Sequence, residues 1–197
     1  MRLDATRRAS VLVRLPRVLV RGAPGRRWGC VMHDDGMAEP RWLSPEEMRA
    51  WQAVLAAGAL LDRHLDQQLR QEAGLSHVQY EILVRLAAAP GGELRMTELA
   101  GALYTSKSGA TYQITQLERA GLVRRGTWPG DVRGVLATLT DAGRRCLAAA
   151  APGHVAAVRS LLIDVLTPDQ LAAVADGLGE VARHLSAAGD SRVSTDD

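Results

Sequence analysis

The chain has 197 residues, 47% of them hydrophobic and 4% aromatic, and it contains no phenylalanine. This length allows one domain with a sizeable core, which Ala and Leu must fill, and close-packed helices suit such a core. The two cysteines, Cys30 and Cys146, are too few for a disulfide framework or a cysteine metal set. No apolar stretch approaches the roughly 20 residues of a membrane span. Because no export signal is evident either, we expect a cytoplasmic protein without a membrane partner.

The net charge of +2 conceals an uneven distribution of charged side chains. Residues 1–42 carry nine arginines and four acids, and residues 95–134 carry six basic and three acidic side chains, so the rest of the chain is acidic. A basic segment on an acidic body is typical of a surface that contacts nucleic acid. Because so few charges also cluster by chance, this interpretation needs the support of a motif.

Residues 1–42 show neither helical nor strand periodicity. Three interpretations stay open: a disordered basic extension, a translation start at Met37 that removes most of the segment, and an arm that adds phosphate contacts. At the other end, residues 188–197 are polar and predict a disordered tail. Between these segments we expect one domain over residues 43–187.

Capping sequences mark the starts of the long helices. Ser44, Ser76 and Thr167 each begin a capping box, and the patterns that follow predict helices to about Gly74, Ala88 and Leu185. A further helix begins after Thr140, and Pro152-Gly153 should kink or break it. The helices at about 44–72 and 141–187 have more apolar surface than a small central module can cover. We therefore expect them to form the interface of a homodimer.

The segment 94–143 predicts two short helices joined by a turn. Residues 96–103 form the first helix, Tyr104 and Thr105 the turn, and the second helix follows from residue 106. Its apolar positions recur at helical spacing and must face the core; they are Ala110, Ile114 and Leu117. Gly121 stands where a left-handed residue ends a helix, with Leu122 placed to pack back on the last turn.

The opposite face of this second helix presents donors and acceptors sized for base edges and phosphates in a DNA major groove. Its candidate DNA-binding residues are Ser106, Lys107, Ser108, Thr111, Tyr112 and Thr115. A strand from Leu122, a turn at residues 128–131 and a return strand at residues 135–139 then predict a two-stranded hairpin.

The hairpin carries further candidate DNA contacts. Arg124 and Arg125 add positive charge to its first strand. Arg133 lies near the tip, where a single arginine has the reach to enter a minor groove, and Asp131 is placed to orient it through a charge-assisted hydrogen bond. An ordinary surface pair between these two side chains is the alternative interpretation.

These residues resemble the winged helix-turn-helix of the MarR family. The stretch ELAGALYTSKSGATYQITQLERAGLVRR, followed by PGDVRGVLATLTDAG, carries the resemblance, which the flanking helices extend over about residues 44–185. It implies a mainly α fold with a small β-hairpin wing and terminal dimerisation helices. It also implies a homodimer that binds a near-palindromic operator in double-stranded DNA, usually as a repressor released by a small ligand. In that setting Arg133 becomes a minor-groove residue.

The chain departs from the family pattern at two positions. Val132 stands where the family often has an arginine beside the wing arginine, and Tyr112 replaces a frequent arginine of the recognition helix. Losing two positive groups should lower the salt dependence of DNA binding. Because these two positions differ from the family pattern, we expect the operator sequence to differ from those of other family members.

Ligand binding and other functions are less well defined by the sequence. The resemblance places a pocket between the dimer helices and the DNA-binding lobe, where Trp51, His64 and Tyr80 are candidate lining residues for a small aromatic ligand. Core or surface packing is the alternative for each. A redox response through Cys146 and a protein-binding module that has lost DNA binding also stay open. No pattern indicates a catalytic, metal or cofactor site, so we expect no enzyme.

Overall fold

The computed structural model describes residues 40–103, 106–128 and 131–193. In chain order the elements are α1 (Pro45–Ala73), α2 (His77–Ala88), β1 (Glu93–Arg95), α3 (Met96–Ala102), α4 (Lys107–Arg119), β2 (Val123–Trp128), β3 (Asp131–Leu139), α5 (Asp141–Leu161) and α6 (Pro168–Val193). This is the mainly helical fold with a small antiparallel sheet that the sequence predicted. The turn at residues 104–105, residues 129–130 of the hairpin turn, Cys30 with nearly all of the basic extension, and residues 194–197 lie outside the described residues.

The chain divides into two units, and the boundary between Ala56 and Ala57 falls within α1. In the first unit the predicted capping box is present. The amide of Glu47 donates to Ser44 Oγ (3.2 Å), and the amide of Ser44 donates to the Glu47 carboxylate (2.6 Å). This backbone hydrogen bond is the largest cause of the lowered pKa of Glu47. The carboxylate is therefore charged at a helix N-terminus, where the helix dipole stabilises it.

The second unit contains the other two predicted capping boxes. The amide of Gln79 donates to Ser76 Oγ (3.2 Å), and the amide of Gln170 donates to Thr167 Oγ1 (3.3 Å). The end predicted for the last helix near Leu185 is wrong, because α6 continues to Val193. Residues 186–193 include no proline that would end the helix. The hydroxyl of Ser186 donates to the Ala182 carbonyl of the preceding turn, so this polar residue is accommodated within the helix.

The hydrophobic core of the second unit joins the last turns of α1 to α2, α4, the sheet and α5. Its buried side chains are Leu69, Leu75, Tyr80, Ile82, Leu83, Leu86, Leu99, Ile114, Leu117, Val123, Ala137, Leu139 and Ala150. The predicted inward stripe of α4 is confirmed, since Ala110, Ile114 and Leu117 have almost no exposed surface. Burial of this stripe fixes which face of α4 remains in solvent.

The sheet has three strands rather than the predicted two. Its strands lie in the order β1-β3-β2, all antiparallel, and Leu94 of β1 pairs with Ala137 of β3. Three residues are too few to show strand periodicity, so pairing partners far along the chain define β1. The return strand also begins at Asp131 and not at residue 135, with an irregular register between Thr127 and Trp128. The wing is therefore longer than the sequence indicated.

Of the predicted kink or break at Pro152, the break is wrong, because α5 is one helix on both sides of the proline. The kink stays a prediction. The ring removes one backbone hydrogen bond, but neighbouring turns are held by packing. Ala150 before it and His154 after it are both buried in the second unit. Tertiary packing on both sides offsets the local cost of a proline inside a helix.

One described segment has the length and composition of a membrane span. Within the 25 residues Asp141–Val165, an 18-residue window has a mean hydropathy of 1.5, and 6% of that window is buried. Core helices of soluble proteins reach the same length and composition. The same segment contributes His154 and Ala150 to the protein interior. The absence of a membrane partner stays a prediction.

Candidate nucleic-acid interface

Helix α4 is fixed at both ends by local hydrogen bonds. At its start, Ser106 Oγ accepts from the amide of Gly109 (3.1 Å). At its end, Gly121 has a φ of +73°, its amide donates to the Glu118 carbonyl, and the amide of Leu122 donates to the Leu117 carbonyl. This is a Schellman arrangement, and the left-handed cap that the sequence predicted at Gly121 is confirmed. With its apolar stripe buried as well, α4 has a single defined orientation in the second unit.

The solvent-facing side of α4 carries most of the side chains predicted to contact DNA. Ser108, Thr111 and Tyr112 are exposed, Tyr112 to 62%, and Thr115 is half-buried. An exposed aromatic ring with a terminal hydroxyl is costly to leave in water and well suited to contact a partner. Tyr112 is an exposed large hydrophobic side chain on this face.

Two of the predicted contacts are already engaged by the helix itself. Ser106 Oγ caps the first turn and lies 3.0 Å from Ser108 Oγ. The hydroxyl of Thr115 donates to the Thr111 carbonyl (2.8 Å). The hydrogen-bonding geometry of both hydroxyls is therefore set by the helix. Their contacts with DNA stay predictions.

Arg125 forms an ion pair that sequence reasoning missed. Its guanidinium Nε donates to Glu118 Oε2 (2.8 Å), and its amide donates to Glu118 Oε1 (3.2 Å). The side-chain hydrogen bond from Arg125 is the largest cause of the lowered pKa of Glu118. This pair connects α4 to β2 and neutralises part of the positive charge predicted for the wing. Glu118 follows Leu117 in an ordinary helical pattern, so nothing in its local sequence indicates its partner.

The remaining candidate residues lie on the wing and at the start of α4. Arg124 is exposed on β2 and pairs in register with Thr138 of β3. Asp131 and Arg133 belong to β3, and Lys107 is the first residue of α4. The roles predicted for the side chains of these last three residues lie outside the described structure and stay predictions.

Comparison with solved structures of similar sequence identifies the family of this chain. The DNA complex of Sco3205, a MarR family transcriptional regulator from Streptomyces coelicolor, is 44% identical and matches 73% of this chain and 94% of its own, with a TM-score of 0.71. AbsC, a MarR family transcriptional regulator from the same organism, is 42% identical and matches 74% of this chain and 98% of its own, with a TM-score of 0.69. The chain belongs to the MarR family.

Two further comparisons agree with this family membership. The model of the MarR family matches residues 75–135, which run from the start of α2 into β3. An uncharacterized HTH-type transcriptional regulator of Bacillus subtilis (strain 168), YfiV, is 29% identical over 156 residues, covering 78% of this chain and 94% of its own. The MarR-family chain is therefore a transcriptional regulator and not an enzyme, as the sequence predicted.

The three candidate ligand-lining residues of this MarR-family chain have different environments. Trp51 is 49% exposed on the first part of α1, and His64 is exposed on the second part. Tyr80 is 5% exposed, with its ring centroid 4.3 Å from that of His154. Tyr80 therefore has a packing role, and a ligand pocket lined by these three residues stays a prediction.

A shallow cleft of about 210 Å³ lies elsewhere in the second unit. It is lined by Asp62, His77, Val78, Glu81, Arg85, Ala102 and Leu103. His77 Nδ1 lies 2.9 Å from Asp62 Oδ1, so these two lining side chains are paired with each other. The residues predicted to bind a ligand do not line this cleft.

His154 is a buried histidine that the sequence did not mark as special. It is 8% exposed, and its Nδ1 has no hydrogen-bond partner in the described structure. Its ring centroid lies 4.3 Å from that of Tyr80 and 5.8 Å from that of His77. Burial is the largest cause of its lowered pKa, and the neighbouring His77 lowers the pKa further, while Glu81 acts in the opposite direction. The imidazole is therefore held neutral in the folded chain.

This burial predicts a pH-dependent stability. The unfolded chain takes up a proton on His154 near the ordinary pKa of about 6.5, whereas the folded chain resists it. The free energy of unfolding should therefore fall as pH decreases through 6.5 and level off below the folded pKa. Urea unfolding at pH 7.5 and 5.5 should show a smaller drop for His154→Gln than for the wild type. The exposed His184→Gln serves as control; equal drops in all three proteins would contradict the assignment.

Proposed function

We propose that this MarR-family regulator binds double-stranded DNA as a homodimer, with α4 of each chain in a major groove and Arg133 of each wing in a flanking minor groove. The observation that carries the proposal is the division of α4 into a fully buried apolar stripe and an exposed polar face with Tyr112 at its centre. The likeness to Sco3205, which was solved in complex with DNA, supports it. In helix-turn-helix proteins the corresponding helix contacts base edges.

Exposed apolar side chains support the homodimer. Within single helices they recur at helical spacing, in α1 as Trp51, Val54 and Leu55, and in α6 as Val174, Leu178, Val181 and Leu185. The stripe of α6 alone contains four side chains that are at least 36% exposed. Apolar stripes of this length are normally covered, and a second copy presents the same stripe to cover it. In such a dimer the two half-sites would lie about 34–36 Å apart, one helical turn of DNA.

We further propose that the regulator represses transcription and that a small aromatic ligand releases it from DNA. Repression and release by a ligand are both proposed from the resemblance to the MarR family. A ligand acts by binding one dimer arrangement better than another, so it would change the separation of the two α4 helices. The half-buried Cys146, which packs against the core, gives less support to the redox alternative, because reactive cysteines are accessible.

Arg133→Ala should weaken operator binding with the fold intact. A minor-groove arginine contributes through the strong negative potential of that groove, so we expect a loss of about tenfold or more at moderate salt. Fluorescence anisotropy with a labelled operator measures it, and thermal unfolding checks the fold. Arg133→Lys, which keeps the charge, is the matched variant. An Arg133→Ala protein with unchanged affinity would remove the wing from the proposed interface.

The proposed function as a whole is tested by selecting genomic fragments that the purified chain retains. We expect a small set of fragments that share a near-palindromic sequence and that compete for binding at physiological salt. Retention of all fragments with equal affinity would indicate nonspecific binding. No retention at low salt would favour a module that has lost DNA binding. Addition of simple aromatic acids to the same assay tests release by a ligand.

A further inference from the structure

The end of α4 and the start of α5 meet at one hydroxyl group, that of Thr140. This residue follows β3 and is the N-cap of α5, where its Oγ1 accepts from the amide of Gly143 (3.0 Å). The same hydroxyl donates its one hydrogen in a shared hydrogen bond to the Gly121 carbonyl (2.8 Å) and the Leu122 carbonyl (3.0 Å). The amide of Thr140 also donates to the Leu122 carbonyl (3.1 Å).

The two helix ends are in contact through their backbones. A Cβ atom on Gly143 would lie 2.2 Å from the Leu122 carbonyl oxygen, which shows that no side chain separates the first turn of α5 from the residue after the Gly121 cap. Leu122 in turn is hydrogen-bonded to the Leu117 carbonyl of α4. The path from α4 to α5 therefore consists of hydrogen bonds and direct packing, with no flexible linker between them.

We propose that Thr140 is a positioning residue, whose hydroxyl fixes the angle between α4 and α5 and so the separation of the two α4 helices in the dimer. This inference rests on the proposed function, which assigns α4 to DNA, and on the predicted dimer interface at about residues 44–72 and 141–187, which includes α5. An ordinary N-cap satisfies one free amide of its own helix. Thr140 does so and also donates to the carbonyls of Gly121 and Leu122, the residues that cap the end of α4, so its loss changes a relation between two helices.

The test is the discrimination between operators whose half-sites are separated by the natural spacing and by one base pair more or less. In the wild type the natural spacing should be strongly preferred. In Thr140→Val the ratio of affinities should fall by about three- to tenfold, the usual contribution of one hydrogen bond to an equilibrium constant. Thr140→Ser keeps the hydroxyl and should restore the ratio. A role in stability alone would lower the affinity for all spacings equally.

Thr167→Val is the matched control, because Thr167 caps α6 in the same way but contacts no part of the α4 end in the hydrogen bonds of the described chain. It should leave the spacing ratio at its wild-type value. If Thr140→Val also keeps the wild-type ratio, the inference is overturned even when its melting temperature has fallen.

A measurement without DNA separates this inference from the proposed function. Amide hydrogen exchange of Leu122 reports on the end of α4, and its acceptor, the Leu117 carbonyl, is not touched by Thr140. In Thr140→Val this amide should exchange several-fold faster, while Thr167→Val should leave it unchanged. Unchanged exchange overturns the inference. If the wild type binds no DNA but the Leu122 amide exchanges faster in Thr140→Val, the proposed function is contradicted. The role of Thr140 in fixing the angle between α4 and α5 is then retained.

Discussion

Gly143→Ala should destabilise this regulator by about 3 kcal/mol, because there is no space for the added methyl group. The new Cβ would lie 2.2 Å from the Leu122 carbonyl oxygen and 2.6 Å from Leu139 Cδ1. The first obstacle is backbone, which cannot move aside like the tip of a long side chain. The helix must therefore shift away from the end of α4, which also disturbs the hydrogen bonds of Thr140. For a chain of this size we expect a melting temperature lower by about 10 °C.

Gly101→Ala is the matched control for this substitution. Gly101 lies in α3, and a Cβ there would meet no atom within 4 Å. A glycine in a helix costs about 0.5–1 kcal/mol relative to alanine, so Gly101→Ala should leave the stability unchanged or raise it slightly. Equal melting temperatures for both variants would contradict the close contact between Gly143 of α5 and the Leu122 carbonyl.

Tyr112→Ala should reduce the affinity for the preferred operator by about 10- to 100-fold, the usual contribution of a good base contact. The ring is 62% exposed, so its removal should change the free energy of unfolding by less than about 0.5 kcal/mol. The base preference should also become weaker at the positions that the side chain contacts. Competition among operators that differ by one base pair, each measured by anisotropy, reports both effects.

Tyr112→Phe distinguishes the two ways in which this side chain can bind DNA. If the hydroxyl donates to a base or phosphate, Phe should behave like Ala; if the ring stacks or packs on a thymine methyl group, Phe should behave like the wild type. A loss that is the same for every DNA sequence would assign Tyr112 to the phosphates. Unchanged affinity in Tyr112→Ala would show that the exposed face of α4 is not the DNA-contacting surface.

Features set by neighbouring residues were predictable from the sequence. The capping boxes at Ser44, Ser76 and Thr167 each form as expected, because a cap is satisfied within four residues of its own helix. The same holds for the buried stripe of α4 and for Gly121, since helical spacing and a left-handed cap are local properties. These features define the exposed face of α4, and with it most of the candidate site.

Features that depend on distant parts of the chain were missed. Strand β1 exists because Leu94 pairs with Ala137, and three residues carry no periodicity of their own. Pro152 stays within a helix because His154 and Ala150 are buried on either side of it. The pairing of Arg125 with Glu118 likewise needs the return of the chain from α4 into β2. In each case a tertiary contact outweighs the local signal.

The central claim is that two copies of α4 contact successive major grooves of one DNA duplex, and hydroxyl-radical footprinting on a selected operator tests it most directly. The account predicts two chains per duplex and protected backbone segments related by a two-fold axis, with the centres of the half-sites about 10 base pairs apart. Loss of both segments together in Tyr112→Ala would agree with binding through α4. A single protected segment, or a footprint that Tyr112→Ala leaves unchanged, would contradict the account.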